Sequence, residues 1–275
     1  MAQWTQLAEG VFVARYQPLD ISIGLVLGGE GRALLVDTRC NPREARELAA
    51  EIADVFSVTV TDVVNTHAHY DHAFGNQVFA STARIHGHAN IPAHFDQFER
   101  PRLQAWTANP SGAPQYDWTD VVLTAPTELV DAEQGIDLGG RSIELVPLPP
   151  GHTDTDLAVH VPDAGVWFVG DVVEESGPPM YGSGAYPLSW PAVLDSLALR
   201  LADAAVVVPG HGAVVDAAFI RSQAGTLGIV ADTIRDGFEH HEPLEYVAER
   251  ASQRTALPLE IVEAAVVRGY SQLSG

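Results

Sequence analysis

The chain has almost no cysteine: Cys40 is the only one among 275 residues. One thiol cannot form an intramolecular disulfide, and such usage fits a reducing compartment. Basic side chains are also scarce, with 15 Lys and Arg against 36 Asp and Glu and a formal net charge of −21. Nucleic-acid binding needs a basic face, so that class of partner is disfavoured. No segment approaches the roughly 18 uncharged apolar residues that mark a membrane-spanning helix. The opening "MAQWTQLAEGVFVARYQ" lacks the basic stretch and long apolar run of a signal peptide. The expectation is a cytoplasmic protein with a small-molecule partner and no membrane partner. Whether it forms a homo-oligomer is not readable from sequence.

What remains is an ordinary globular composition, 46% hydrophobic, which is ample for a core. Strands are expected at 10–16, 21–29 and 32–38, separated by Gly and Pro. Residues 41–56 read as a helix with Asn41 as N-cap, Pro42 at the first position, and Leu48, Ile52 and Val55 on one face. A strand at 58–66, a short helix from about 72 to 79 and a strand at 83–88 follow. The period then fails over 89–127, which reads as an insertion or lid near a site, or as a surface excursion with its own helix. Strands resume at 143–153, 156–163 and 165–173. A helix at 191–202, a strand at 204–212 and helices from about 216 to 275 complete the chain. No linker or charge block divides it, so one domain over 1–275 is expected.

The segment "NTHAHYDHAFGN" (65–76) crowds His67, His69, Asp71 and His72 into six residues, a polar density that is costly to bury unless something binds it. Three further polar residues follow apolar runs at strand ends: His152 in "PPGHTD", Asp171 in "WFVGDV" and His211 in "VPGHG". Sheets of this kind place functional loops there. All seven are ligand types suited to zinc, iron or manganese. In an extended segment residues two apart project to one side, so His67 and His69 can reach one ion. Asp71 and His72 lie past the bend and can serve a second, and Asp171 has two oxygens with which to bridge. Each of His86, His88, His94, His160, His240 and His241 taken alone reads as a core or surface histidine. It is the ordered conjunction that sets the others apart.

"THAHYDH", "GHT", "VGD" and "PGHG", in that order, resemble the metallo-β-lactamase superfamily over nearly the whole chain. The resemblance implies an α+β fold, a four-layer αββα sandwich of two mixed β-sheets flanked by helices, with a metal site at one edge between the sheets. It implies His67, His69 and His152 as ligands of a first metal and Asp71, His72 and His211 as ligands of a second, bridged by Asp171. Asp37 in "LLVDT" would support the histidine loop. The implied cofactors are two divalent ions, zinc with manganese or iron as alternatives.

Members that hydrolyse antibiotics usually lack an aspartate like Asp171 or replace Asp71, so the chain is more similar to the glyoxalase II, lactonase and ribonuclease Z side. Ribonuclease function is disfavoured by the charge balance. A glutathione thioester is disfavoured by "GHTDTD" and by the lack of a basic cluster in the C-terminal helices. The expected activity is therefore a metal-dependent hydrolase cleaving an ester, lactone, thioester or amide of a small molecule with a metal-bridging hydroxide, which Asp71 orients and deprotonates. A mononuclear iron persulfide dioxygenase and a β-lactam hydrolase are the alternatives. Substrate contacts are expected from Tyr181, Tyr186 and Trp190 in 174–190 and from Trp118 and Phe95 in the insertion. Tyr181 is expected to hydrogen-bond a carbonyl oxygen, as a family lactonase tyrosine does.

Overall fold

The computed structural model describes residues 3–110, 112, 116–202 and 204–275. The N-terminal half runs β1 (Thr5–Ala8), β2 (Val11–Tyr16), β3 (Ile21–Leu27), β4 (Arg32–Val36), α1 (Pro42–Phe56) and β5 (Thr59–Val64). Two one-turn helices, α2 (Tyr70–Ala73) and α3 (Asn76–Phe79), precede β6 (Arg84–His88). Next come α4 (Ile91–His94), a π-turn at Phe95–Glu99, α5 (Arg100–Ala108) and β7 (Glu128–Val130). The second half runs β8 (Gln134–Asp137), β9 (Ser142–Pro147), β10 (Leu157–Val161), β11 (Val166–Glu174), α6 (Trp190–Arg200) and β12 (Val206–His211). Helices α7 (Ala217–Glu239), α8 (Leu244–Thr255) and α9 (Leu259–Ser274) close the chain.

Strand pairing follows the path β7-β6-β5-β4-β3-β12-β11-β10-β9-β8, with β2 also on β3 and β1 on β2. Both halves are mixed: β4 to β7 are parallel and β2 to β4 antiparallel, while β11 and β12 are parallel beside antiparallel β8 to β11. The halves meet at one residue pair, Ile21 with His211. Three cores give the layers. Val11, Val26, Leu34 and Val64 of one half face Ile143, Leu145, Val159 and Phe168 of the other, which makes the central core. Leu48 and Ile52 of α1 cover the first half from outside, and α6 to α9 cover the second. This is the expected αββα sandwich.

Local chemistry sets the element ends. The Asn41 side chain accepts the Glu44 N–H at 2.9 Å and Pro42 opens α1, as capping and fixed φ favour. Leu48 and Ile52 are buried on its inner face, each contributing about 1.5–3 kcal/mol. Val55 departs from the expectation and is 55% exposed. Phe56 turns inward in its place, against Trp4 and Phe12. Asp216 caps α7 through the Phe219 N–H at 2.9 Å.

The short helix expected at 72–79 is two separate turns, and the first begins early enough to carry Asp71 and His72. Residues 89–127 are not irregular throughout, since 91–108 is helical across the π-turn. Residues 111 and 113–115 of that segment lie outside the described residues. No helix among the described residues is long and apolar enough to cross a membrane.

Candidate metal centre

The histidine loop leaves the C-terminal end of β5, where parallel strands present their functional loops. Asp37, just past β4, holds it: Oδ1 accepts the Thr66 N–H at 2.8 Å, and Oδ2 accepts both the Thr66 hydroxyl and the His72 Nδ1–H at 2.8 Å. Asp37 adopts φ +65°, a left-handed conformation that aspartate tolerates better than most residues. Asn65 and Asn76 exchange side-chain hydrogen bonds of 3.0 and 2.7 Å and so close the base of the loop. The turn after His152 is braced by Asp156, which accepts the Thr153 N–H at 3.0 Å and its hydroxyl at 2.7 Å. Thr155 in turn accepts the Ala68 N–H at 3.1 Å and ties that turn to the histidine loop. Burial pushes the Asp156 carboxyl up to about 8 against the pull of those hydrogen bonds. The string "HTDTD" therefore has a structural role beyond His152.

Two glycines let the strand ends close around the centre. Gly170 has φ +58°, and a Cβ there would lie 2.6 Å from Thr66 Oγ1. A Cβ on Gly210 would lie 1.8 Å from Asp171 Oδ1. No other residue fits at either place.

The seven expected residues come together, all buried. His67, His69, His152 and Asp171 form one group of convergent donor atoms, and Asp71, His72 and His211 form a second. His152 Nε2 lies 3.0 Å from His69 Nδ1. His211 Nε2 is 3.3 Å from Asp71 Oδ2 and 3.4 Å from His72 Nε2. Asp171 reaches both groups: its Oδ2 is 3.7 Å from His67 Nε2 and 3.5 Å from the Nε2 atoms of His152 and His211, and its Oδ1 is 3.1 Å from His72 Nε2.

Three outer hydrogen bonds fix which imidazole nitrogen faces inward. The Leu19 and Ser183 carbonyls can only accept, so His211 donates from Nδ1 at 2.8 Å and His69 from Nε2 at 3.0 Å. His72 donates from Nδ1 to Asp37. Each histidine thus turns the lone pair of its other nitrogen to the centre, the arrangement that metal-binding histidines use. His67 Nε2 and Asp171 Oδ1 find no hydrogen-bond partner. Leaving such buried groups unmade is costly, and a divalent cation would satisfy them. The donor set, imidazole and carboxylate without thiolate, suits zinc, manganese or iron.

The electrostatics point the same way. Burial pulls His67 and His69 well below the ordinary imidazole range, and brings His152 to about 4. Burial pulls His72 and His211 down as well, but the Asp171 charge and its neighbours outweigh it and raise both. Burial would raise Asp171, yet His72 and His211 hold its carboxyl well below the usual range. The carboxylates draw positive charge into the centre, and a bound cation supplies that charge with neutral imidazoles.

Above the centre lies a cleft of about 470 Å³. Its walls come from Leu19, Tyr70, Arg102, Tyr116, Glu174 and the 176–182 loop. The aromatics expected to contact substrate lie elsewhere. Tyr181 is packed in the outer core against Trp190, with its hydroxyl unpartnered. Trp190 donates its indole N–H to the Val172 carbonyl at 3.0 Å and backs His152 edge-on. Tyr186 lines a separate cavity of about 280 Å³. Trp118 is buried beneath Tyr70 and Phe74, and Phe95 packs with Ile91. Large rings near the site thus build its walls from behind.

Tyr70, Tyr116, Arg102 and Glu174 went unnoticed in the sequence, although a Glu closing the apolar run "VWFVGDVVE" was a signal for the last. His94, read as a lone core histidine, lies beside His69 with ring centroids 5.8 Å apart.

A family model described as metallo-beta-lactamase superfamily matches residues 16–211. A metallo-beta-lactamase type 2 of Bacillus cereus is 26% identical over 78% of this chain and 74% of its own length. A hydroxyacylglutathione hydrolase of Hyphomonas neptunium is 28% identical over 59% of this chain and 51% of its own. A human acyl-coenzyme A thioesterase is 29% identical over 57% of this chain and 54% of its own. Among solved structures, a metallo-beta-lactamase from Pontibacter korlensis superposes with a TM-score of 0.61 at 21% identity, covering 82% of this chain and 99% of that one.

Proposed function

Because the chain belongs to the metallo-beta-lactamase superfamily, we propose that it is a dinuclear metal-dependent hydrolase that adds water across the acyl bond of a small ester, lactone, thioester or amide. The observation that carries this reading is the pair of donor groups sharing Asp171, with three imidazoles turned inward by outer hydrogen bonds. His67, His69 and His152 would hold one ion, Asp71, His72 and His211 the other, and Asp171 both. Cations bound there supply Lewis acidity, polarising a carbonyl and lowering the pKa of water from about 15.7 toward 7.

The residues of the chain do the rest. Asp71 Oδ2, 3.3 Å from His211 Nε2, lies at the cleft floor, where it can orient the attacking water and accept its proton. Burial and the Asp171 charge push the Glu174 carboxyl well above the usual carboxylate range. The ring walls of Tyr70 and Tyr116 limit water in the cleft. The relatives are named as a thioesterase and a beta-lactamase, and an uncommitted acyl substrate class accommodates either. The same donor set serves a mononuclear iron dioxygenase, and the metal content separates the two readings.

Metal analysis of protein purified without chelator tests it. About two zinc or manganese ions per chain are expected; a single iron turns the reading to the dioxygenase. His69→Ala and Asp171→Ala should each lower turnover of acyl substrates by more than roughly 100-fold, beyond what loss of an outer partner costs. Unchanged turnover in either variant overturns the mechanism.

A further inference from the structure

The seven residues of the centre are joined by an eighth that the sequence motifs do not include. Glu174 ends β11, is buried, and lines the cleft beside Asp171 and His211. In a regular strand, residues three apart point to opposite faces, so Asp171 and Glu174 would not meet. The pairing of β11 with β12 is irregular, however. Phe168 stands opposite Val208 and Glu174 opposite His211, so β11 covers six residues where β12 covers three. The left-handed Gly170, φ +58°, lies inside this stretch. Bulges re-aim side chains beside active sites, and here the irregularity turns Glu174 back to the side of Asp171.

The irregular backbone is held from outside. Gln223 of α7, itself buried, accepts the Glu174 N–H at 3.1 Å through Oε1 and donates from Nε2 to the Val172 carbonyl at 2.9 Å. Those bonds use only the backbone of the strand end, and the Glu174 carboxylate faces the centre. One of its oxygens, one oxygen of Asp171 and a ring nitrogen of His211 all lie within 4.8 Å of one another. Donors on opposite sides of an ion, with bonds of about 2.0–2.2 Å, stand about 4.2 Å apart. The spacing is therefore that of a cation site.

We propose that Glu174 is a fifth protein ligand of the second ion, and that it makes the two metal positions unlike. The proposal rests on the dinuclear reading above. The first position has three imidazoles, His67, His69 and His152, with a share of Asp171. The second has two, His72 and His211, against three carboxylates, Asp71, Asp171 and Glu174. Imidazole suits zinc, whereas an oxygen-rich set suits a harder ion such as manganese. Charge favours the same assignment. Arg102 is the sole Lys or Arg among the described residues lining the cleft, and it is engaged by Ser183 Oγ at 2.7 Å, with Glu99 3.6 Å away. With the imidazoles neutral, the three carboxylates have no counter-charge but a cation, and buried charges call for one.

Manganese titration, read by the paramagnetic resonance signal of the free ion, tests this. Chelator-stripped protein first receives one equivalent of zinc, which should occupy the imidazole-rich position, and manganese is then added. The wild type should bind one manganese ion per chain. Glu174→Gln keeps the shape and loses the charge. It should weaken that binding by more than roughly 10-fold, the least that loss of an outer partner costs. Zinc added in place of manganese should lose less. The first zinc should bind this variant as it binds the wild type, which also reports an intact fold. Glu174→Asp keeps the charge and withdraws the oxygens by one methylene. A ligand so shortened loses manganese affinity several-fold, whereas a carboxylate acting only through its field does not. Should Glu174→Gln fail to fold, Glu174→Asp carries the test. Unchanged manganese affinity in either variant, or equal losses for zinc and manganese in Glu174→Gln, overturns the proposal and leaves the dinuclear centre standing. A wild type that takes up only one ion of either kind overturns the dinuclear reading and the proposal with it.

Discussion

Histidine and aspartate meet in two places along β5, and only one of them calls for a cation. On the strand itself, Asp62 Oδ1 takes a hydrogen bond from His86 Nε2 at 2.9 Å and forms an ion pair with Arg84 Nη2 at 2.8 Å, and Oδ2 takes the Thr61 hydroxyl at 2.9 Å. The single carboxylate is matched by a guanidinium, though His86 Nδ1 lacks a partner. Past the strand end, Asp71, Asp171 and Glu174 gather with five imidazoles and no arginine among the convergent donors. Residue type does not separate the two clusters. Charge balance and the direction of the lone pairs do: one cluster pairs its only carboxylate with a guanidinium, whereas the other leaves His67 Nε2 and Asp171 Oδ1 unpaired.

Metal removal should sharpen that contrast most. A ligand at about 1,000 times its Kd stabilises the folded chain by about 4 kcal/mol, and a domain of this size shifts by about 2 °C per kcal/mol. Chelation should therefore lower the melting temperature by about 8 °C, with recovery on adding zinc. An unchanged melting curve would mean that the second cluster is as closed as the first. Asp37→Ala should act next in size. It frees His72 Nδ1 and the Thr66 N–H, and loss of such an outer partner typically costs 10- to 100-fold in metal affinity. Competition with a zinc-binding dye reads this directly, and affinity equal to wild type would remove Asp37 from the support of the centre.

The convergence of the seven side chains was legible because each ends an apolar run beside a glycine or lies within the dense loop, so position and type carried the same message. Gly170 and Gly210 show why: the strand ends must pack without a Cβ, the first against Thr66 and the second against Asp171. The cleft wall was not legible. Its arginine rides on a helix whose phase shifts through the π-turn at Phe95–Glu99, and such a shift destroys the 3.6-residue period on which the reading depends. Large aromatics misled for a related reason. Tyr181 and Trp190 carry polar tips, but their rings fill the outer core, and sequence alone does not tell a wall from the ring behind it. Short edge strands such as β1, β7 and β8 also escaped, being too brief to alternate.

The smallest effect belongs to the closed cluster, and its pH dependence identifies it. Burial would raise the Asp62 carboxyl, but the hydrogen bonds from His86 and Thr61 and the Arg84 charge outweigh it, and the value falls below the ordinary 3.8. The folded chain then binds that proton less readily than the unfolded chain, so Asp62 stabilises the fold fully above about pH 4. The contribution fades as pH drops through the lowered value. Arg84 is more than half exposed, which limits the pairing to about 1 kcal/mol or less. Asp62→Asn should thus lower stability by that amount at pH 7, and the gap to wild type should close as urea titrations move below pH 4. Zinc loading should leave the gap unchanged, because no ligand atom of the centre touches Asp62. A gap that widens in acid would show that the carboxyl is held up by burial, and the closed cluster would then be no more balanced than the open one.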